Sequence, residues 1–138
     1  MTPFLLTDID RAVRSSWSAM TCTPEYRDRW TRENPARDQC GVTALVLNDL
    51  LGGELIRGEV LVDGERVDYH WWNRLGLGIE IDLTREQFAP EEQVTEGIVI
   101  PRPPDSELRR LRTEYELLRD EVLAKLTGAA GAAGATAA

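Results

Sequence analysis

The strongest constraint on this chain is a change of period at residues 52 and 53. Gly41–Leu51 carries apolar side chains almost all the way round a helix: Val42, Ala44, Leu45, Val46, Leu47, Leu50 and Leu51. A helix that is apolar on every side must be covered on every side, so it belongs at the centre of a domain. Gly52-Gly53 ends it, because glycine takes the left-handed C-terminal conformation without steric penalty. Beyond this point the pattern alternates. Glu54–Val62 reads as a strand, Asp63-Gly64 as a two-residue hairpin turn and Glu65–Trp72 as the return strand. After a turn at Asn73–Gly78, Ile79–Leu83 reads as a third strand. It puts Ile79, Ile81 and Leu83 on one face and Glu80 and Asp82 on the other. The expected class is α+β, with a central helix packed on a small antiparallel sheet.

The flanks fill in the rest. Thr7–Met20 reads as an amphipathic helix capped by Thr7 or Asp8, with Ile9, Val13, Trp17 and Met20 on its buried face. Residues 21–38 are polar and broken by Pro24 and Pro35, with Tyr26 and Trp30 marking a turn that packs inward. Thr84-Arg-Glu-Gln87 is a capping-box pattern that should start a helical turn and carry Phe88 into the core. Residues 89–104 form a connector that includes Ile98-Val99-Ile100 as a short edge strand. Asp105–Leu126 reads as a long helix with Leu108, Leu111, Tyr115, Leu118, Val122 and Leu126 in a stripe. The stripe suits either a homodimer seam or docking on the sheet of its own subunit. Residues 127–138 contain only Thr, Gly and Ala, and a disordered tail is expected there. The organisation is thus a single α+β domain over 1–104, an amphipathic helix over 105–126, and a tail.

Charge narrows the partners. The 138 residues hold 24 acidic and 16 basic side chains, for a net charge of −8. Nucleic acid and anionic membrane surfaces both need clustered positive charge, so neither is expected as a partner. No apolar run approaches the ~18 residues of a membrane helix. The N-terminal residues have neither the basic start nor the apolar stretch of a signal peptide, and the cytoplasm is the expected location. Cys22 and Cys40 are then expected as free thiols, a bridge between them being the minor reading. A single histidine and two cysteines without zinc-type spacing speak against a metal, and no glycine-rich phosphate loop follows a strand, so no cofactor is expected.

Three residues carry candidate chemistry. Cys40 precedes the apolar helix, where the helix dipole favours a thiolate and unpaired backbone N–H groups near residues 40 and 41 could hold an oxyanion. His70, the only histidine, shares strand parity with Asp68 and Trp72. Asp82 lies on the polar face of the next strand. In an even antiparallel register His70 and Asp82 point the same way, and the carboxylate would set the imidazole tautomer. The ordinary alternatives are an inert buried thiol, a packing histidine and a turn aspartate ahead of Thr84. Among the neighbours, Trp72 shares the parity of His70 and is expected to line a cleft, while Trp17 and Trp30 are expected in the core. Asp49 is expected on a solvated helix edge, and Asn73 either near the site or as a turn residue.

Ser15-Ser-Trp-Ser18, Trp30, Asn34-Pro35-Ala36, Gln39-Cys40-Gly-Val-Thr-Ala-Leu-Val46, Asp49, Gly52-Gly53-Glu54, His70-Trp-Trp-Asn73, Asp82-Leu-Thr84 and Gln87-Phe88 occur in order over residues 15–88. This set resembles the bacterial YunG family. The same order is similar to the papain-like and transglutaminase-like cysteine superfamily, in which a nucleophilic cysteine begins a central helix and His and Asp follow on adjacent strands. That resemblance implies Cys40 as nucleophile, His70 as general base and Asp82 as orienting acid. Gln39, Trp72 and Asn73 would then be substrate-binding, although Gln39 adjoins the cysteine where papain-like enzymes carry their glutamine several residues upstream. The implied activity is a cysteine-dependent hydrolase or acyltransferase acting on an amide, ester or thioester of a small molecule or peptide. The alternative is a non-catalytic protein-interaction or small-molecule-binding module on the same fold.

Overall fold

A computed structural model describes residues 3–137, with the backbone alone described for 129–137. Helix α1 spans Leu6–Ser16 and α2 spans Cys40–Leu51. Strands β1 (Glu54–Val62) and β2 (Glu65–Arg74) form the hairpin, followed by β3 (Glu80–Ile81), β4 (Gln93–Val94) and β5 (Ile98–Ile100). Helix α3 spans Arg112–Ala137. The sheet is antiparallel in the order β3-β2-β1-β4, and β5 also pairs with β1. The class is α+β, as the change of period implies.

Helix α2 packs against β1 and β2 on one side and against α3 on the other, and α3 also meets α1. This sandwiched position is why α2 is apolar all round. Val42, Ala44, Val46 and Leu47 are buried from two directions in one cluster with Ile9, Val13, Trp17, Leu55, Tyr115, Leu118 and Val122. Polar pins cross the layers. Trp17 Nε1 donates to Thr43 Oγ1 at 2.9 Å, and Asn73 Nδ2 donates to the Ala44 carbonyl at 2.9 Å. Asp49 lies on the exposed edge of α2 as expected, where it accepts from the Tyr115 hydroxyl and lies 3.3 Å from the Arg102 guanidinium.

The hairpin turns where Asp63 and Gly64 both take positive φ, +52° and +78°. Several boundaries differ from the sequence pattern. Helix α1 stops at Ser16, and Ser18 then caps a 3-10 turn, which leaves Met20 53% exposed instead of on the buried face. The helix starts at Leu6 with Leu5 as the N-cap residue, so Thr7 and Asp8 lie within its first turn, from where the Asp8 carboxylate accepts the Leu5 N–H. Helix α3 begins at Arg112, not at Asp105. Pro103 and Pro104 are followed by a 3-10 turn at Asp105–Glu107, and Leu111 at φ +64° interrupts the helical path. Its stripe of Tyr115, Leu118, Val122 and Leu126 is buried against α1 and α2. It therefore does not dock on the sheet, and the surface expected for a homodimer seam lies inside the chain's own core. The expected tail over 127–138 falls for the most part outside the fully described residues. Among the described residues no helix is long and apolar enough to cross a membrane.

Candidate active site

A tight turn presents the start of α2. Asp38 stands at φ +60°, a conformation that a non-glycine residue keeps only when its surroundings hold it. Its carboxylate accepts from the Thr23 N–H at 2.6 Å and the Thr23 hydroxyl at 3.3 Å, and its own N–H donates to Gln87 Oε1 at 3.0 Å. Burial raises the Asp38 carboxyl pKa, and the Thr23 donors oppose that shift. Gln39, the next residue, is fully buried. Its Oε1 accepts from Thr21 Oγ1 at 2.7 Å, and its Nε2 donates to the Ser18 carbonyl at 3.0 Å and to Cys22 Sγ at 3.3 Å. The substrate-binding role expected for Gln39 is therefore corrected: its amide is consumed in satisfying the buried 18–22 segment.

Cys40 is the first residue of α2, partly exposed, and its thiol lies against the backbone N–H of Trp71. Burial pushes the thiol up to about 12; nearby Asp38, Asp68 and Asp82 add to the rise and the Trp71 N–H opposes it. The lowering expected at a helix N-terminus is outweighed, because roughly half a positive charge does not offset removal of a thiolate from water. Cys22 is also pushed up to about 12, mainly by burial, and both cysteines are free. The N–H groups of Cys40, Gly41 and Val42 have no backbone acceptor among the described residues, since the first bond of the helix runs from Thr43 N–H to the Gln39 carbonyl.

Strand β3 pairs with β2 only at Asn73 and Arg74, so the outer edge of β2 is open at residues 70 and 71. The Asn73–Ile81 register is even, and it brings His70 Nε2 within 2.7 Å of Asp82 Oδ2. A carboxylate can only accept, so Nε2 carries the proton and the free lone pair is on Nδ1. Nδ1 is buried and has no hydrogen-bond partner among the described residues. Asp82 Oδ1 also accepts the Thr84 N–H at 3.3 Å and the Thr84 hydroxyl at 3.5 Å, while Arg85 Nη1 donates to Oδ2 at 3.3 Å. The His70 ring is fully buried, stacked on Trp72 at 5.4 Å and met edge-on by Phe88 at 4.7 Å.

The structure thus joins His70 to Asp82 and brings Cys40 to the neighbouring position of the same strand. No hydrogen bond links Cys40 to the imidazole. The reason is parity. Asn73 and Trp71 face α2, whereas His70 and Trp72 face the other side of the sheet over Gly58 and Ile56. Cys40 reaches the open edge of β2 from the helix side.

The neighbours are reassigned accordingly. Trp72 is 6% exposed, donates its indole N–H to Glu80 and is roofed by Gly97, where a Cβ would come 2.8 Å from its ring. It does not line a cleft. Trp71 does, in a cavity of about 700 Å³ that is lined by Cys40 and walled by Tyr26, Trp30, Tyr69, Phe88 and Leu111. Trp30 belongs to this wall rather than to the core. Asn73 is 1% exposed and pinned to Ala44, with its Oδ1 unpaired among the described residues, so it ties β2 to α2 instead of meeting substrate. Thr84 and Gln87 were not singled out from the sequence as site residues. Both are buried, and Gln87 Nε2 donates to Thr84 Oγ1 at 3.1 Å. Their signal in the sequence is the capping-box pattern, whose threonine and glutamine are bonded to each other here.

Together the fold and site define a class: a small α+β domain with a cysteine at the head of its central helix and a buried strand histidine paired with an aspartate just past the next strand. The chain belongs to the YunG family, whose family model, described as YunG protein, matches residues 5–127. It is similar to "Uncharacterized protein YunG" of Bacillus subtilis (strain 168), with 39% identity over 83 residues, 58% of this chain and 61% of that protein. The chain therefore covers less than two thirds of that relative's length. No solved structure matches it.

Proposed function

We propose that this chain has a papain-like or transglutaminase-like core and acts in the cytoplasm as a cysteine-dependent hydrolase or acyltransferase on an amide, ester or thioester. The observation that carries the reading is His70: a buried imidazole whose Nε2 is held by Asp82 and whose Nδ1 is left without a partner, beside the strand position where the Cys40 thiol rests. A buried polar nitrogen without a partner costs roughly 1–3 kcal/mol, which a purely structural histidine would ordinarily avoid. The reaction requires the Cys40 side chain to turn from the Trp71 N–H around the open edge of β2 until its sulfur meets Nδ1. The thiol then gives its proton to His70, and the thiolate attacks the carbonyl carbon. The N–H groups of Cys40 and Gly41 receive the oxyanion, and His70 returns the proton to the leaving group. Water or an amine resolves the thioester. Burial holds the thiol up, and transfer of its proton to His70 offsets this by creating a charge pair backed by Asp82.

The raised thiol and the aromatic cavity favour a second reading, a small-molecule-binding module that does no chemistry. Iodoacetamide alkylation against pH, followed at Cys40 and Cys22 by mass spectrometry, separates the two. A catalytic pair gives Cys40 a reaction near neutral pH that Cys22 lacks, with a loss of about tenfold or more in His70→Ala and no change at Cys22. A Cys40 rate that climbs steadily with pH and ignores His70→Ala overturns the hydrolase reading in favour of the binding module.

A further inference from the structure

One run of hydrogen bonds joins Asp38 to Asp82. The Asp38 N–H donates to Gln87 Oε1 at 3.0 Å, and Gln87 Nε2 donates to Thr84 Oγ1 at 3.1 Å. Thr84 Oγ1 donates to Asp82 Oδ1 at 3.5 Å, and Asp82 Oδ2 accepts from His70 Nε2 at 2.7 Å. The direction of every bond follows from one end. A backbone N–H can only donate, so the Gln87 oxygen must face Asp38 and its NH2 must face Thr84. The threonine oxygen then accepts, and its hydrogen turns to Asp82. The Gln87 backbone is held as well: its carbonyl accepts from Asn34 Nδ2 and Arg37 Nη1, both at 3.2 Å. Thr84 is 1% and Gln87 5% exposed, so water does not compete for these groups.

We propose that Gln87 is a positioning residue. Through Thr84 it fixes the orientation of Asp82 and hence the Nε2–H tautomer of His70, and through Asp38 it holds the turn that presents Cys40. The proposal rests on the hydrolase reading only for its consequence at Cys40, since the tautomer of His70 is measured independently.

Because the chain has one histidine, a long-range 15N–1H spectrum of the full-length protein contains a single imidazole. Wild type should display the Nε2–H pattern. Gln87→Glu keeps the size of the side chain but replaces the donor with an acceptor, which draws the Thr84 hydrogen away from Asp82. Thr84→Val removes the hydroxyl and Thr84→Ser retains it. Gln87→Glu and Thr84→Val should each move the tautomer ratio toward Nδ1–H by about threefold or more, and Thr84→Ser should keep the wild-type pattern. In Gln87→Glu the alkylation of Cys40 should slow in parallel. If Gln87→Glu does not fold, the Val and Ser variants at Thr84 carry the same comparison. A tautomer ratio unchanged in Thr84→Val and in folded Gln87→Glu overturns the proposal. A shifted ratio in a protein whose Cys40 ignores His70→Ala upholds the positioning role and overturns the hydrolase reading alone.

Discussion

Phe88 is the partition between the two halves of the candidate site. Its ring meets the His70 imidazole edge-on at 4.7 Å and also walls the cavity that Cys40 lines. His70 has no exposure of its own, and Phe88 is the ring packed against it that also lines the cavity. In wild type, diethylpyrocarbonate should therefore modify His70 slowly, and Phe88→Ala should speed the reaction by about tenfold or more, since it deletes the contact that excludes solvent. The single histidine makes the readout unambiguous, and an unchanged rate would mean that Phe88 is not the barrier. At this scale the sequence was only half legible. Alternation correctly put Trp71 and Trp72 on opposite faces, but parity does not say which face is covered. That depends on where the 95–97 loop lands, and the clue lay in Gly58 and Gly97, where any side chain would strike Trp72. Gln39 and Asn73 were misread for a related reason: adjacency to a nucleophile does not reveal whether an amide is already committed to buried partners.

Elements explain how these residues are held, and α3 is the one whose attachment is most testable. Leu118 is fully buried between α1 and α2, while Leu123, on the other face of the same helix, is 39% exposed. Leu118→Ala should lower unfolding free energy by about 2–5 kcal/mol, and Leu123→Ala by no more than about 0.5 kcal/mol. Tyr115→Phe removes a hydroxyl shared by Asp49 and Arg102 and should cost about 1 kcal/mol, because those two keep each other. Urea titrations of the three variants check the order, and equal losses at Leu118 and Leu123 would contradict the docking. The helices and hairpin could be read from sequence wherever period and punctuation agreed, as at Gly52-Gly53 and Asp63-Gly64. The start of α3 could not. Leu108 and Leu111 continue the apolar spacing because both pack against the core, although the backbone between them is not helical. Periodicity records burial, and helix only by inference. Strand β4 has two residues and too little pattern to be seen.

The molecule as a whole encloses two thiols and a tyrosine that resist ionisation, and its stability should fall at alkaline pH. Cys22 and Cys40 are both pushed up to about 12 from an ordinary value of 9.0, chiefly by burial. Burial and the neighbouring Asp49 raise Tyr115 too. In the unfolded chain the thiols lose their protons as the pH passes 9, whereas the folded protein holds them until about 12. Between those limits the unfolded state binds fewer protons, so stability is whole below pH 9 and is lost as the pH climbs toward 12. Each thiol contributes at most about 1.4 kcal/mol per pH unit. A net charge of −8 adds general repulsion in the same direction, so wild type alone cannot apportion the loss. The comparison with Cys22→Ala can, because it leaves the general repulsion in place and removes one buried thiol. Urea midpoints at pH 8 and pH 10.5 under reducing conditions should converge for the two proteins: the variant starts lower, having lost packing, and falls less steeply. Parallel losses would mean that Cys22 ionises as readily in the fold as in the open chain. The enclosure deduced for the thiol beside Gln39 would then not exist, and the same reasoning could no longer be applied to Cys40.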